Sequence, residues 1–157
     1  MSAHAEKDFT PESFRTMINL WPTFVAQKVT VTEIADDWSH VTVRMELTPD
    51  NANFFGTAFG GTLFSMIDPF LPILNNRQLG NDYAVWDKSV QIDFLRPGRS
   101  AVTARVEVPA EVVEEIRAST AAGAKHERWF EGPLIDEGGE TVAVQRRLLY
   151  VRRAAGR

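Results

Sequence analysis

The sequence contains no cysteine and only three histidines, which excludes several kinds of chemistry. Without cysteine the chain has no disulfide framework, no thiolate nucleophile and no zinc–cysteine site. The histidines, His4, His40 and His126, are far apart and lack the spacing of a ligand cluster. We therefore predict no metal site and no redox chemistry by the protein's own side chains.

Long apolar runs and a basic excess are also missing. No segment approaches the roughly 18 uninterrupted apolar residues of a membrane-spanning helix, and the N-terminal residues lack the charged-then-apolar pattern of a secretory signal. The formal net charge is −4, whereas a surface that binds duplex nucleic acid normally shows a basic excess. Arginines near the C-terminus, including Arg146 and Arg147, fit an exposed sheet edge better than a phosphate site. We expect a soluble cytoplasmic protein without nucleic-acid or membrane partners.

The chain is long enough for one domain with a hydrophobic core. It has 157 residues, of which 44% are hydrophobic, and this length is too short for two domains of ordinary size. We predict a single domain over residues 1–157 that begins with an amphipathic helix at about 11–20. Alternating apolar and polar residues then predict strands at 25–34 and 40–47, paired as a hairpin.

A glycine pair followed by a long apolar segment predicts the central helix. Gly60 and Gly61 stand where a helix would begin, and the apolar residues continue to a predicted end at about 61–79. Two prolines lie inside this segment, and each interior proline costs about 3 kcal/mol, so the helix is kinked or consists of two helices that meet near Asp68. Burying this acid is costly unless it has a partner or a function.

The second half of the chain predicts four more strands and a connecting helix. Strands are expected at 84–95 and 101–108, paired as a second hairpin, and at 125–135 and 141–151, paired as a third. The connecting helix is expected at about 110–122. Because only the central helix is apolar enough to cover the sheet, we predict an α+β fold in which a curved antiparallel sheet of about six strands wraps around that helix.

The spacing of Asn53, Gly60, Gly61 and Asp68 resembles that of a known family, the hot dog fold thioesterases of the phenylacetate-pathway type and their uncharacterised relatives. In that family an asparagine precedes a His-Gly-Gly turn, and an acid lies on the helix seven residues beyond the second glycine. The order of strands and helices is similar over nearly the whole chain. The segment Phe94-Leu95-Arg96-Pro97 after the next strand is similar as well.

The resemblance implies hydrolysis of an acyl thioester, usually an acyl-CoA, in a site formed between two subunits of a homodimer or homotetramer. Coenzyme A would be part of the substrate, and no separate cofactor is implied. The backbone amides of Gly60 and Gly61 would polarise the thioester carbonyl, and Asp68 would act as general base or as nucleophile. We expect an apolar slot for the acyl chain near four phenylalanines: Phe54, Phe55, Phe59 and Phe64.

The sequence departs from the family pattern at Phe59, which occupies the place of the family's histidine, so a role for that imidazole is absent. Some relatives use a serine or threonine on the next strand to orient water. Here that place falls at Asp87, with Ser89 two residues further on and expected on the same face, and either could orient water. Arg96 flanks a turn and could hold a phosphate of coenzyme A.

Structural explanations compete with each functional one. Asp68 followed by proline is also typical of a helix N-cap, and the pair Gly60-Gly61 is typical of close packing at a helix start. Asn53 lies in a polar loop and could be an ordinary turn residue.

Two other functions are compatible with the same residues. A non-catalytic acyl-CoA-binding or regulatory hot dog module would explain why Phe59 stands in the place of histidine and why two prolines follow the acid closely. A hydratase of the same fold is the weaker alternative, because such enzymes pair an acid with a histidine and no histidine lies near the motif.

Overall fold

The computed structural model describes residues 9–154, so residues 1–8 and 155–157 of the predicted domain lie outside the described range. Within residues 9–154 there are six strands: β1 Val29–Ile34, β2 His40–Met45, β3 Tyr83–Phe94, β4 Val102–Glu107, β5 Lys125–Asp136 and β6 Thr141–Arg153. The same residues form five helices: α1 Pro11–Ile18, α2 Pro22–Gln27, α3 Gly60–Ser65, α4 Phe70–Leu79 and α5 Ala110–Thr120.

The six strands form one antiparallel sheet in the order β1-β2-β4-β5-β6-β3. Alternate side chains of the strands point towards α3 and α4, and residues such as Val43, Leu149 and Leu74 are almost fully buried there in a shared core. This arrangement confirms the predicted α+β fold class. None of the helices in the described part of the chain is long and apolar enough to cross a membrane.

The central helix consists of two helices that meet near Asp68, which is one of the two predicted possibilities. Helix α3 ends at Ser65 and α4 begins at Phe70, so residues 66–69 separate them. Pro69 and Pro72 explain the interruption, because neither has an N–H to donate to the carbonyl four residues earlier. Two carbonyls that a continuous helix would engage, those of Ser65 and Asp68, therefore need other partners.

The predicted strand at 25–34 is wrong in its first part. Residues Pro22–Gln27 form helix α2 instead, and β1 begins only at Val29. Proline fits the first position of a helix, and Lys28 ends α2 with a left-handed φ of 56° that turns the chain into β1. The prediction followed the β-branched residues Val25 and Val29 and overlooked the proline as a helix start.

The predicted hairpin between the strands at 84–95 and 101–108 is also wrong. Strand β3 pairs with β6, whereas β4 pairs with β2 and β5, so two strands separate them in the sheet. After β3 the chain crosses beneath the start of α3, where the Gly98 carbonyl accepts a hydrogen bond from the Ala58 amide at 2.8 Å. A β-carbon on Gly98 would lie 3.0 Å from the Ala58 side chain, a tight contact, so this crossing favours glycine.

Candidate active site

A buried arginine joins the two carboxylates that the sequence suggested for the site. Arg147 lies on β6 with 1% of its side chain exposed. Its Nη1 donates to Asp68 Oδ1 at 3.0 Å and to Asp87 Oδ2 at 2.6 Å. Asp68 follows α3 in the interruption of the central helix, and Asp87 lies on β3. The site therefore combines one guanidinium with two carboxylates from different elements.

The guanidinium also binds the end of α3. Its Nη2 donates to the Phe64 carbonyl at 3.1 Å, and its Nε donates to Gln145 Oε1 at 3.0 Å. The Gln145 amide in turn donates to the carbonyls of Leu63 and Phe64 at 2.6 and 2.9 Å. The last carbonyls of a helix lack partners within it, and a cation at this end is favourable. Arg147 and Gln145 thus complete the hydrogen bonding of an interrupted helix.

A β-bulge in β3 brings Asp87 to this cluster. In the pairing with β6, Asp87 lies opposite Leu149 but Ser89 lies opposite Leu148, so Lys88 is an extra residue on β3. Leu148 and Leu149 face opposite sides of the sheet. Asp87 therefore points to the buried face and Ser89 to the outer face. The expectation that the two share a face is wrong, and Ser89 does not lie beside Asp68.

Asp87 is held in a position that disfavours its charge. Its side chain is 14% exposed, and Oδ1 is buried without a hydrogen-bond partner among residues 9–154. Burial raises the pKa of the Asp87 carboxyl above its ordinary value, and this effect outweighs the opposing influence of Arg147; the nearby charge of Asp68 also raises it. Because its pKa is raised, the Asp87 carboxyl is protonated more readily than that of an exposed aspartate.

Asp68 differs from Asp87 in its exposure. Its side chain is 57% exposed, and only Oδ1 is engaged by Arg147. Within residues 9–154, no group donates a hydrogen bond to Oδ2, so this oxygen is available to water or a ligand. Helix α4 has Pro69 at its N-cap and no side-chain capping bond, so Asp68 does not act as the cap that the sequence also allowed.

The glycine pair shows the close packing expected at a helix start. A β-carbon on Gly60 would lie 3.0 Å from the Phe94 ring, and one on Gly61 would lie 2.5 Å from the Phe59 ring. Phe59 is the N-cap of α3 and is about half exposed. The aromatic ring of Phe59 therefore lies directly against the second glycine.

Two other predicted site residues have partners near their own loops. The Asn53 side chain bonds Thr57 Oγ1 at 2.9 Å and accepts hydrogen bonds from the amides of Phe55 and Thr57, as a turn residue does. Arg96 forms an ion pair with Glu140 across the surface. No group of three or more His, Asp or Glu side chains in residues 9–154 is arranged to hold a metal ion.

The four phenylalanines expected to form the acyl slot are not brought together. Phe54 and Phe55 are 97% and 83% exposed. Phe54 and Phe59 line an open groove of about 470 Å³ beside Asn53. Phe64 lies elsewhere, with its ring centroid 5.5 Å from the Arg147 guanidinium carbon.

The sequence analysis missed Arg147 and Gln145 as site residues and assigned the arginines of this strand to an exposed edge. The signal was their position in the alternation of β6. Gln145 and Arg147 share the inward positions of this strand with Ala143, Leu149 and Val151, all of which are fully buried. A polar residue at an inward position of a strand indicates one of two things: the inward and outward positions were assigned incorrectly, or the residue has a buried polar partner.

Comparison with known proteins supports the fold. A protein of unknown function from Pseudomonas aeruginosa, described as a probable thioesterase, aligns with a TM-score of 0.79 and 21% identity over 92% of this chain and 97% of its own. A Haemophilus influenzae thioesterase gives a TM-score of 0.67 and 16% identity over 96% of this chain and 95% of its own. The PaaI protein of the Escherichia coli phenylacetic acid degradation operon gives 0.62 and 22% identity over 92% and 93%.

At these identities, the structural similarities show a shared fold and confirm the hot dog architecture that the sequence resembled. Comparison with curated protein sequences finds no match. One family model, described as a domain of unknown function (DUF4442), matches residues 11–151. Because this match spans most of the chain, the protein belongs to the DUF4442 family and adopts the hot dog fold.

Proposed function

We propose that the protein hydrolyses acyl thioesters, with acyl-CoA as the substrate class. The observation that carries this proposal is the position of Asp68, whose carboxylate is oriented through one oxygen by buried Arg147 while its other oxygen is open to solvent. The thioesterase descriptions of the similar structures from P. aeruginosa and H. influenzae support the same reaction.

Hydrolysis requires a base or nucleophile and a group that polarises the carbonyl. Oδ2 of Asp68 would accept a proton from the attacking water or would attack the carbonyl itself. The amides of Gly60 and Gly61 at the start of α3 would donate to the developing oxyanion. Asp87 would assist through Arg147, which both carboxylates share.

The proposal includes a homodimer or homotetramer. Strand β3 has twelve residues and lies at one end of the sheet, where its outer edge is not paired within residues 9–154. Long unpaired edges favour association with another strand. Asp87 lies on this strand, so a second copy paired with β3 would border the site.

Hydrolysis is not the only use for such a site, and one observation favours a non-catalytic acyl-CoA-binding module. The Phe59 ring lies against Gly61, one of the two residues whose amides would polarise the carbonyl. In this second candidate, acyl-CoA binds tightly and is not cleaved.

The test is release of coenzyme A thiol from a panel of acyl-CoA substrates, from acetyl to palmitoyl. We expect Asp68→Asn to lower kcat by about 10²-fold or more, the usual range for loss of a general base. Asp93→Asn is the matched control, because Asp93 is also 57% exposed and forms an ion pair with Arg146 at 2.9 Å. This control should retain wild-type turnover.

Full turnover by Asp68→Asn would refute the role of Asp68. If the wild-type protein hydrolyses no member of the panel, the hydrolase proposal is refuted. Tight binding of an acyl-CoA without hydrolysis would then establish the binding module instead.

A further inference from the structure

Strands β4 and β5 separate after a short stretch of pairing. The paired residues run from Val102 opposite Asp136 to Ala104 opposite Leu134. The next pair would place Pro133 opposite Arg105, but proline has no N–H to donate to a neighbouring strand. Beyond this point β4 remains paired with β2, and β5 remains paired with β6. A gap therefore opens inside the sheet.

A cavity of about 400 Å³ occupies this gap. Its walls are mainly apolar and come from the helix interruption, α4 and the two separated strands, including Ile67, Leu71, Ala104, Val106, Pro109 and Phe130. Gly132 lies opposite buried Gln145, so it faces the interior at a point where it contributes no side chain. The sequence Gly132-Pro133 thus both opens the gap and leaves it unfilled. This cavity is called the β4–β5 chamber below.

The chamber borders the candidate active site. Two of its wall residues are Ile67, which precedes Asp68, and Arg147, which binds the Asp68 carboxylate. A guanidinium has five N–H donors. The bonds to Gln145, Asp68, Asp87 and Phe64 use four of them, and the second N–H of Nη2 has no acceptor among residues 9–154. One donor therefore remains beside an apolar space.

The outer opening of the chamber carries charged side chains. Arg105, Glu107 and Glu131 line it, and Arg105 forms an ion pair with Glu107. Glu131 in turn forms an ion pair with Arg146 at 3.8 Å, so the opening has no basic excess to hold the polyanionic nucleotide part of coenzyme A. The nucleotide part would instead lie at the Asp68 end.

We propose that the β4–β5 chamber binds the straight, saturated acyl chain of the substrate, with the chain entering past Arg147 from the Asp68 side and its methyl end at the gap between the strands. This inference rests on the proposed function and names its substrate class as medium-chain acyl thioesters. A methylene group takes up about as much volume as a water molecule, roughly 30 Å³, so the chamber of about 400 Å³ has room for at most about 13 methylene groups. Because part of this volume lies at the open, charged end, we expect a chain of about ten carbons to fill its apolar part. Longer chains reach the charged opening and gain no further apolar contact.

The first test measures binding of hexanoate, octanoate, decanoate and dodecanoate by isothermal titration calorimetry, independently of turnover. The wild-type affinity should rise about fourfold for each added methylene up to decanoate and then level off. Gly132→Val should fill part of the chamber. A β-carbon at Gly132 meets only the Arg105 carbonyl, at an ordinary contact distance of 3.6 Å, so the backbone accepts a side chain there.

The three added carbons of valine should displace at least two methylene groups and weaken decanoate binding by about 16-fold, while hexanoate binding changes little. Ala84→Val is the matched control, because Ala84 is exposed on β3 and lies outside the chamber. If Gly132→Val does not fold, Gly132→Ala provides a smaller step, with about a fourfold loss for decanoate.

The same variants are then assayed for hydrolysis of the matching acyl-CoA series. A chain-length profile that is unchanged in Gly132→Val, or absence of fatty-acid binding by the wild-type protein, would overturn the chamber proposal even if hydrolysis occurs. Binding that shifts with Gly132→Val in a protein without hydrolysis would support the chamber and refute the hydrolase.

Discussion

Replacing Arg147 by methionine should destabilise the protein strongly, because the arginine satisfies several buried groups at once. Methionine has a similar length and is apolar, so it keeps much of the packing while removing the charge and five donors. The variant leaves Asp87 with a buried carboxylate that has no cation, and it removes donors from the Phe64 carbonyl and from Gln145 Oε1.

The size of this effect follows from the burial of the partners. Removing one member of a buried ion pair costs about 3–5 kcal/mol. Asp87, at 14% exposure, should account for most of this cost. Asp68 should contribute little, because at 57% exposure water can solvate its carboxylate. We therefore expect Arg147→Met to lower the free energy of unfolding by about 3–5 kcal/mol at pH 7.

Urea unfolding measured at pH 7 and pH 4.5 tests this prediction. Because Arg147 lowers the pKa of Asp87 against the effect of burial, its removal lets the Asp87 carboxyl take up a proton more readily, so the cost should shrink at the lower pH. Adding Asp87→Val to Arg147→Met should restore about 1–3 kcal/mol of the free energy of unfolding, because the effects of substituting these two paired residues are coupled. The control Arg146→Met, at a half-exposed ion pair, should change stability by less than about 1 kcal/mol.

The reasoning would be refuted by an Arg147→Met variant that loses less than about 1 kcal/mol at pH 7, the scale of an exposed ion pair. If Arg147→Met lowers the free energy of unfolding equally at both pH values, the loss does not come from a buried Asp87 carboxylate without a cationic partner.

Three further predictions concern the carboxylate, the glycine pair and the assembly. The pKa of Asp87 is raised in the folded protein, so the native state binds this proton more tightly than the unfolded state and its contribution to stability is lost as pH rises through the raised pKa. In urea unfolding, the wild-type protein should therefore gain stability relative to Asp87→Asn on going from pH 7 to pH 4, and a gain in the opposite direction would contradict the assignment. Gly61→Ala should lower the unfolding free energy by about 1 kcal/mol or less, because its β-carbon would lie 2.5 Å from the Phe59 ring and this half-exposed ring can partly move away. Adding Phe59→Leu should reduce that cost, and an equal cost in both backgrounds would exclude the ring as its cause. Light scattering at micromolar concentration should give a mass of two or four times 17.6 kDa, and a monomer would rule out the proposed assembly.

Much of the fold could be predicted because its elements are encoded locally. The alternation in β2 and β6 and the glycine at the start of α3 each determine a structure within a few residues. The two prolines similarly predicted either a kink or an interruption, and the interruption between α3 and α4 is what the structure shows. The partner of β3 could not be predicted this way, because a short link after Phe94 is compatible with a hairpin or with a crossing beneath α3. Only the contact of Gly98 with Ala58 distinguishes the two.

The candidate site was harder to predict because it depends on register and on distant pairs. Asp68 and Asp87 were proposed from the family resemblance, and the expectation that Asp87 and Ser89 share a face failed because the bulge at Lys88 places them on opposite faces. A bulge shifts every later side chain by one position and leaves little trace in composition. Arg147 contacts residues 79 and 60 positions away along the chain. Its charge alone suggested solvent exposure.

The interruption of the central helix connects these features physically. Without the last turn of a continuous helix, the carbonyls of Leu63 and Phe64 need donors, and the buried side chains of Gln145 and Arg147 supply them. A buried guanidinium then needs anionic partners. The bulge in β3 brings Asp87 to the guanidinium from the sheet, and the interruption of the central helix brings Asp68 to it from the helical layer. Pro69 and Pro72 interrupt the central helix. This interruption therefore places an oriented, solvent-accessible carboxylate, that of Asp68, beside the chamber.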